Sequence, residues 1–323
     1  MPDYLYCIDK GLAPEVDGRE DMGKPRTIAI LFFESARQDE MCKYRIWMCA
    51  EVWRKMGFNV LIVQGLETPK NVDMIVPQID LSVFPDAYRH LLELEIPVLN
   101  RRVLDIRKSA FSENLVSWND DYEGPVIVKT DCNYGGLPEL WASARLPWRK
   151  RVPARMASLR RACGKALKAK SINRLSRTAT MSPADYPVYM AKRGVPRYVF
   201  ENGDLVVEKF LPERDGDAYC LRSYAFLGDE GIGVRTKASE PVLKGETGTC
   251  PEVVPVHPSI IAARAALGFD YGKFDYVVHG GEAVLLDVNV TPTFGSVYTR
   301  EFRHSITARL AKGITRWFPD REG

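Results

Sequence analysis

"GKFDYVVHGGEAVLLDVNVTPTFG", residues 272–295, holds two apolar runs that meet at Gly280-Gly281, the mark of a hairpin. In the second run Val284, Leu285, Leu286, Val288 and Val290 are interrupted by Asp287 and Asn289. Side chains two apart on a strand share a face, so Asp287 and Asn289 stand side by side while the valines turn the other way. Antiparallel pairing across the turn brings Asp275 beside them. Carboxylates and an amide oxygen placed there are exposed, satisfied by donors, or hold a cation. With no basic neighbour between them, they form a hard oxygen set of the kind that suits Mg²⁺, an ion that keeps waters and is shared with substrate phosphates. An Asp at a strand end also caps turns, and the stretch alone does not choose between the two.

Outward from this hairpin, "DLVVEKFL", "AYCLRSYAFLGD" and "EGIGVRTK" read as strands, "PSIIAARAALGF" as a helix and "SITARLAKGITRWF" as a C-terminal helix. Toward the N-terminus the order changes. "RTIAILFF", a helix through Ile46, Cys49, Val52, Trp53 and Met56, and "FNVLIVQG" form a strand–helix–strand unit, and "VDMIVPQ", "PDAYRHLLELE" and "IPVLN" repeat it. Such alternation predicts a small parallel sheet with helices on its faces over residues 26–100, a Rossmann-like lobe. It has no GxGxxG, so no dinucleotide is placed there. Residues 1–25 read as an extended arm. "VLDIRKSAFSENL" reads as helical and leads to the strand "GPVIVKT", then to "DCNYGGLPE", a turn of Asp, Asn and paired Gly.

At 323 residues the chain exceeds a single core, so two or three lobes are expected. The absence of a basic-then-apolar N-terminus and of any long apolar stretch places it in the cytoplasm. Seven scattered Cys without a CxxC pair argue against a disulfide framework or a zinc cage, and the four His include no HxxxH. Residues 141–180 carry twelve Lys or Arg and no Asp or Glu, so against an overall +3 the remainder holds a net −9.

Two more stretches bear on chemistry. Lys129 ends the apolar strand "PVIVK" beside a loop, Asp131 to Gly136, whose small residues let backbone N–H groups approach a phosphate while the lysine supplies a point charge. A solvated Lys after a surface turn reads the same way. In "LVVEKFLPE", residues 205–213, a strand runs into Glu208-Lys209 and is stopped by Pro212. Past such an end, backbone groups and a carboxylate suit the edge of an adenine ring.

In this order, "VIVKTDCNYGG", "VVEKFLPE", "GKFDYVV" and "LLDVNVTPTFG" resemble the ATP-grasp superfamily over roughly residues 95–300. The resemblance implies an α/β fold in which two α+β lobes clamp ATP behind a Rossmann-like lobe. It places a central lobe at 101–207, with a basic insertion at about 141–195, and a C-terminal lobe at 208–323. It makes Lys129 and Lys108 phosphate lysines and the loop with Asp131, Asn133, Gly135 and Gly136 a flap over the phosphates. Glu208, Lys209, Phe210 and Leu211 become the adenine side, with Glu213 toward the ribose. Asp275, Asp287 and Asn289 become ligands for Mg²⁺, two ions in the family. Arg222 and Arg235 become the basic groups facing the transferred phosphate or acyl group, and Lys273, two residues before Asp275, a catalytic residue where the family often has an Arg. The chain departs from the family in having Asp287 for a Glu, Lys273 for an Arg, and Cys132 and Tyr134 in the flap.

The activity implied is ATP-dependent ligation of a carboxylate to an amine through an acyl phosphate. A kinase of a hydroxyl and a non-catalytic ATP-binding assembly protein stay as alternatives. Substrates are expected to be small or carrier-linked carboxylates and amines. The basic segment 141–180 reads as a contact for an anionic polymer, for an acidic membrane face at which the protein is peripheral, or as a solvated lid. A nucleic-acid partner is disfavoured because no recognised module surrounds the segment, and a homo-oligomer stays open.

Overall fold

The computed structural model describes residues 25–145, 179–242 and 248–319. Most of the expected arm and the basic stretch 146–178 lie outside the described residues. Three sheets make up the rest.

The first is parallel. β1 (Thr27–Phe32) lies between β2 (Asn59–Gln64) and β3 (Met74–Gln78). Every residue of β1 is buried, which suits the central strand of a sheet covered on both faces. Ile28, Ile30 and Phe32 pack with Ile46, Cys49 and Trp53 of the helix Arg45–Lys55, while Ala29 and Leu31 join Tyr88 and Leu91 on the other side.

Three expected elements differ here. "PDAYRHLLELE" winds as a 3₁₀ segment, Asp86–Glu93, whose three-residue turn stacks buried Tyr88 over buried Leu91. "IPVLN" makes a single parallel bridge between Val98 and Ile75, because Pro97 has no N–H to extend the ladder. In "VLDIRKSAFSENL" only Lys108–Phe111 is helical. Asp105 accepts from the Arg107 backbone N–H at 2.9 Å and from its guanidinium at 2.6 Å, which holds the chain extended ahead of that turn.

The second sheet is antiparallel, in the order β5 (Val188–Tyr189), β4 (Val126–Thr130), β6 (Leu205–Lys209). Val126, Val128, Leu205 and Val207 point into one cluster, so by alternation Lys129 and Glu208 share the opposite face. The third sheet is antiparallel and larger. Its order is β10 (Glu252–Val253), β9 (Glu230–Ala238), β8 (Ala218–Leu227), β11 (Tyr271–His279), β12 (Glu282–Asn289), with β7 (Glu213–Asp215) on the start of β8. The chain passes from the second sheet to the third between Lys209 and Glu213.

The β11–β12 hairpin turns at Gly280 (φ 59°) and Gly281 (φ 90°), as a two-residue loop with positive φ at both positions requires. A bulge then adds one residue to β12: Asp275 pairs with Asp287, but Tyr276 pairs with Leu285, leaving Leu286 unpaired. Without it, Leu285 and Asp287 would share a face. With it, Leu285 joins Phe274, Tyr276 and Val288 in an apolar cluster while Asp287 turns to the other side beside Asp275.

The helix Arg300–Lys312 begins earlier than its apolar spacing suggested, because the Thr299 hydroxyl accepts from the Phe302 N–H at 3.2 Å. It packs Ile306, Leu310 and Ala311 against both the third sheet and the helix Arg45–Lys55, and the Trp53 indole donates to Ala311 O at 2.9 Å. Its end meets the β8–β9 turn so closely that a Cβ on Gly313 would run into Leu227 O. Among the described residues, no helix is long and apolar enough to cross a membrane.

Candidate functional site

The free face of the second sheet and one face of the third meet at a turn. On the second sheet, Lys129 Nζ lies 2.6 Å from Glu208 Oε2, with the Glu208 side chain 1% exposed, and Ser112 Oγ donates to Glu208 Oε1 at 2.6 Å. On the third, pairing puts Asp275 opposite Asp287 and Lys273 opposite Asn289, as the hairpin predicted. Lys108, from the single helical turn between them, reaches across to Asp287 Oδ1 at 3.4 Å and donates to Cys132 O at 3.4 Å. These residues are therefore brought together from two sheets and a helical turn distant in sequence.

The expectation that the acidic cluster has no basic neighbour is not met. Lys273 Nζ donates to Asp275 Oδ2 at 2.7 Å, and Ser223 Oγ donates to Oδ1 at 2.5 Å. Lys273 precedes Asp275 by two and so shares its face. The Asn289 amide oxygen accepts from Thr291 N at 2.7 Å, closing its own turn. Among the described residues, no group of three or more His, Cys, Asp or Glu stands in metal-binding proximity. Asp287 is the least satisfied member: its side chain is 29% exposed, yet Oδ1 is closed to solvent and has no hydrogen bond. Burial raises its pKa above the usual Asp value and Asp275 adds to this, while Lys108, Lys273 and Lys129 oppose it. For Lys108, burial works against the charge, but Asp287 and Glu208 outweigh it and raise the pKa above that of an ordinary lysine.

The donor set fits a metal–phosphate complex better than a bare anion or a bare cation. Lys108, Lys129 and Lys273 are matched by Glu208, Asp275 and Asp287, so the cluster offers both cationic and anionic groups while carrying no net charge of its own. Asp287 Oδ1, without a hydrogen bond and 3.4 Å from the Lys108 ammonium, stands with Asp275 opposite and Asn289 nearby, and these three oxygens are the ones that could hold a cation.

Other expected residues sit differently. Asp131 accepts from Ser109 N and Oγ, both at 2.8 Å, so it fixes the Lys108 turn. Asn133 is buried; its N–H donates to Ser82 Oγ and its side-chain oxygen accepts from Tyr134 N. Gly135 (φ 71°) and Gly136 (φ 69°) are buried against residues 179–181, where a Cβ on either would run into Met181 O or Ala179 O. Their small size serves this packing. Of the residues expected on an adenine side, Lys209 lies 5.3 Å from the Tyr122 ring centre and Phe210 N–H donates to Pro125 O, while Leu211 N–H has no hydrogen bond among the described residues.

Arg222 and Arg235 are not brought to the cluster. Arg222 pairs with Tyr276 and with Arg235, one position out of step with the Ser223–Asp275 pair, so both arginines stand on the opposite face of the sheet. There Arg222 makes a two-oxygen bond to Glu213 at 2.9 and 3.0 Å, and Arg235 binds Glu252 at 2.6 Å. Glu213 also accepts from Val278 N at 2.8 Å, so it braces β7, β8 and β11.

Sequence reasoning missed Tyr186, whose hydroxyl lies 2.9 Å from Thr130 Oγ1 and which interacts with Lys108 and Asp287. It stands beyond the basic segment, where no local pattern marks it. Burial pushes the Cys132 thiol up to about 11, with Glu139 adding to this, so it stays protonated at neutral pH.

No protein-family model and no curated protein sequence matches the chain. Among solved structures it resembles ATP-grasp proteins over most of its length. The D-alanine–D-alanine ligase from Bacillus anthracis matches at 12% identity and a TM-score of 0.46, covering 92% of this chain and 99% of that one. The ATP-grasp ligase PsnB, complexed with minimal precursor, Mg and ADP, matches at 12% and 0.46, covering 91% and 99%. A RimK domain ATP-grasp protein from Sphaerobacter thermophilus matches at 11% and 0.42, covering 88% and 99%. None of the three reaches a TM-score of 0.5, and each shares 12% or less of its sequence with this chain.

Proposed function

We propose that the protein is an ATP-dependent ligase that joins a carboxylate to an amine through an acyl phosphate, releasing ADP and phosphate. The observation that carries this reading is the meeting of buried Lys108 and Lys129 with the Asp275–Asp287 pair across two sheets. ATP supplies the phosphoryl group, and Mg²⁺ neutralises its charge. Lys108 and Lys129 would hold phosphate oxygens, and Asp275, Asp287 and Asn289 the cation. Lys273 orients the Asp275 carboxylate from 2.7 Å. Leu211 N–H remains to contact the base.

Phosphoryl transfer asks the protein for positioning and charge stabilisation more than for covalent chemistry, which agrees with a site of lysines and carboxylates. Cys132, held protonated, is not needed as a nucleophile. Arg222 and Arg235 take no part in this reading. The basic segment 141–180 is proposed to contact an anionic polymer, a carrier-linked acceptor or an acidic membrane face.

The test is Mg²⁺-dependent ATP binding by the wild type and by Asp287→Ala, followed by product analysis with pooled carboxylates and amines. ADP and phosphate formed only with both pools, and a hydroxamate when hydroxylamine replaces the amines, support the ligase. A phosphorylated hydroxyl product would make it a kinase. Equal Mg·ATP binding by the two proteins would refute the metal site.

A further inference from the structure

In open α/β sheets, ligands gather at the carboxyl ends of the strands. At that end of β3, three polar side chains have no part in the site described above. Gln78 is 2% exposed, and neither its amide oxygen nor its nitrogen has a partner. Burying an amide in this way destabilises a fold unless something else completes its bonds. Ile79 belongs to the apolar cluster of Tyr88 and Leu91, so alternation turns Gln78 and Asp80 together to the other side.

The Asp80 carboxylate accepts from Tyr44 OH at 3.1 Å and from Thr291 Oγ1 at 2.6 Å. Glu139 Oε1 accepts from Ser82 N at 2.8 Å, while Oε2 is buried without a partner. Neither Asp80 nor Glu139 has an ion pair among the described residues, so among them the cluster holds two carboxylates and an unfilled amide with no cation paired to either. Thr291 also approaches Asn289 Oδ1 at 3.4 Å, which joins the cluster to the end of β12 where the cation is placed.

Resting on the ligase reading above, we infer that this cluster seats the amine of the acceptor. A primary ammonium lies between Asp80 and the free Oε2 of Glu139, Gln78 Oε1 accepts its remaining proton, and Gln78 Nε2 donates to an oxygen of the same molecule. Anionic groups are repelled by the two carboxylates. A bare metal ion leaves the Gln78 donor unfilled. An ammonium on a molecule that also carries an oxygen uses every orphaned atom.

Thermal melting of the full chain without nucleotide tests this. Glycine, L-alanine, L-lysine and ethanolamine serve as probes, each beside its N-acetylated form and beside matched KCl. At least one free amine should raise the melting temperature by about 2 °C or more at saturating concentration, with no shift from its acetylated form or from KCl. Asp80→Asn and Gln78→Leu should each abolish the shift. Gln78→Leu removes two orphaned polar atoms, so without amine it should melt at or above the wild type, and loss of folding does not explain its loss of response. No amine-specific shift in the wild type, a shift given equally by KCl, or one retained in either variant overturns the proposal. Because the measurement involves no turnover, amine binding without acylated product refutes the activity and leaves this site standing. Hydroxamate formation without an amine-specific shift refutes this site alone.

Discussion

Lys129 and Lys108 each face a carboxylate, on two kinds of support. Lys129 meets Glu208 within a single sheet at 2.6 Å, where strand register fixes both ends. Lys108 crosses from an isolated helical turn to Asp287 on another sheet at 3.4 Å, so its distance depends on how the two sheets sit. The first pair is a fixture of one lobe. The second joins a helical turn to the third sheet, and under the proposed function a nucleotide phosphate held by Lys108 would compete with Asp287 for it.

The contrast is broken most directly by removing each lysine in turn. Lys129→Ala leaves Glu208 charged, buried and unpaired, and should cost about 3–5 kcal/mol in urea unfolding. Lys108→Ala removes a longer contact, 3.4 Å, from a carboxylate whose side chain is 29% exposed, and should cost less, about 2 kcal/mol. Equal losses would mean that the two pairs do not differ. For ligand binding the larger effect is expected on the Lys108 side, at its partner: Asp287→Ala should weaken Mg²⁺-dependent ATP binding by about 100-fold in calorimetry, roughly 2.8 kcal/mol.

Asp80, a carboxylate without a lysine, sharpens the comparison through pH. Burial raises its pKa above 3.8, against the bonds from Thr291 and Tyr44, and Glu139 raises it further. The folded state then holds the proton more tightly than the unfolded chain, so stability is greatest at low pH and declines as pH rises through the folded pKa. Asp80→Asn removes that decline. It should melt above the wild type near neutral pH, with the gap closing as pH falls to the unfolded value, as scanning calorimetry over that range would read. The smallest effect is expected from Lys129→Met with Glu208→Leu, which exchanges a buried pair for apolar volume and should unfold within about 1 kcal/mol of the wild type.

Much of this geometry was legible from period and turn chemistry. Gly280-Gly281 fixed the hairpin, and with it the meeting of Asp275 and Asp287. The bulge was not read, although the consecutive Leu285-Leu286 is its trace. The arginines were misplaced because facing is decided by register, and the one-residue offset of Arg222 from Ser223 appears only when β8 is laid against β11. Over residues 103–115 the apolar spacing suggested a helix, and the side chains of Asp105 and Asp131, bonding to nearby backbone, overrode it. Gln78 was unreadable for a different reason. A polar residue at the end of an apolar run ordinarily faces solvent, and only the packed structure shows this one sealed in.

The shared core of the helices Arg45–Lys55 and Arg300–Lys312 also bears on how the chain is made. β1 and its covering helix are synthesised before the third sheet, yet they share a core with Ile306, Leu310 and Ala311, near the other end of the described chain. During translation their side of that core waits exposed while both antiparallel sheets are produced, an interval in which chaperone binding or misassembly with a neighbouring nascent chain competes with folding.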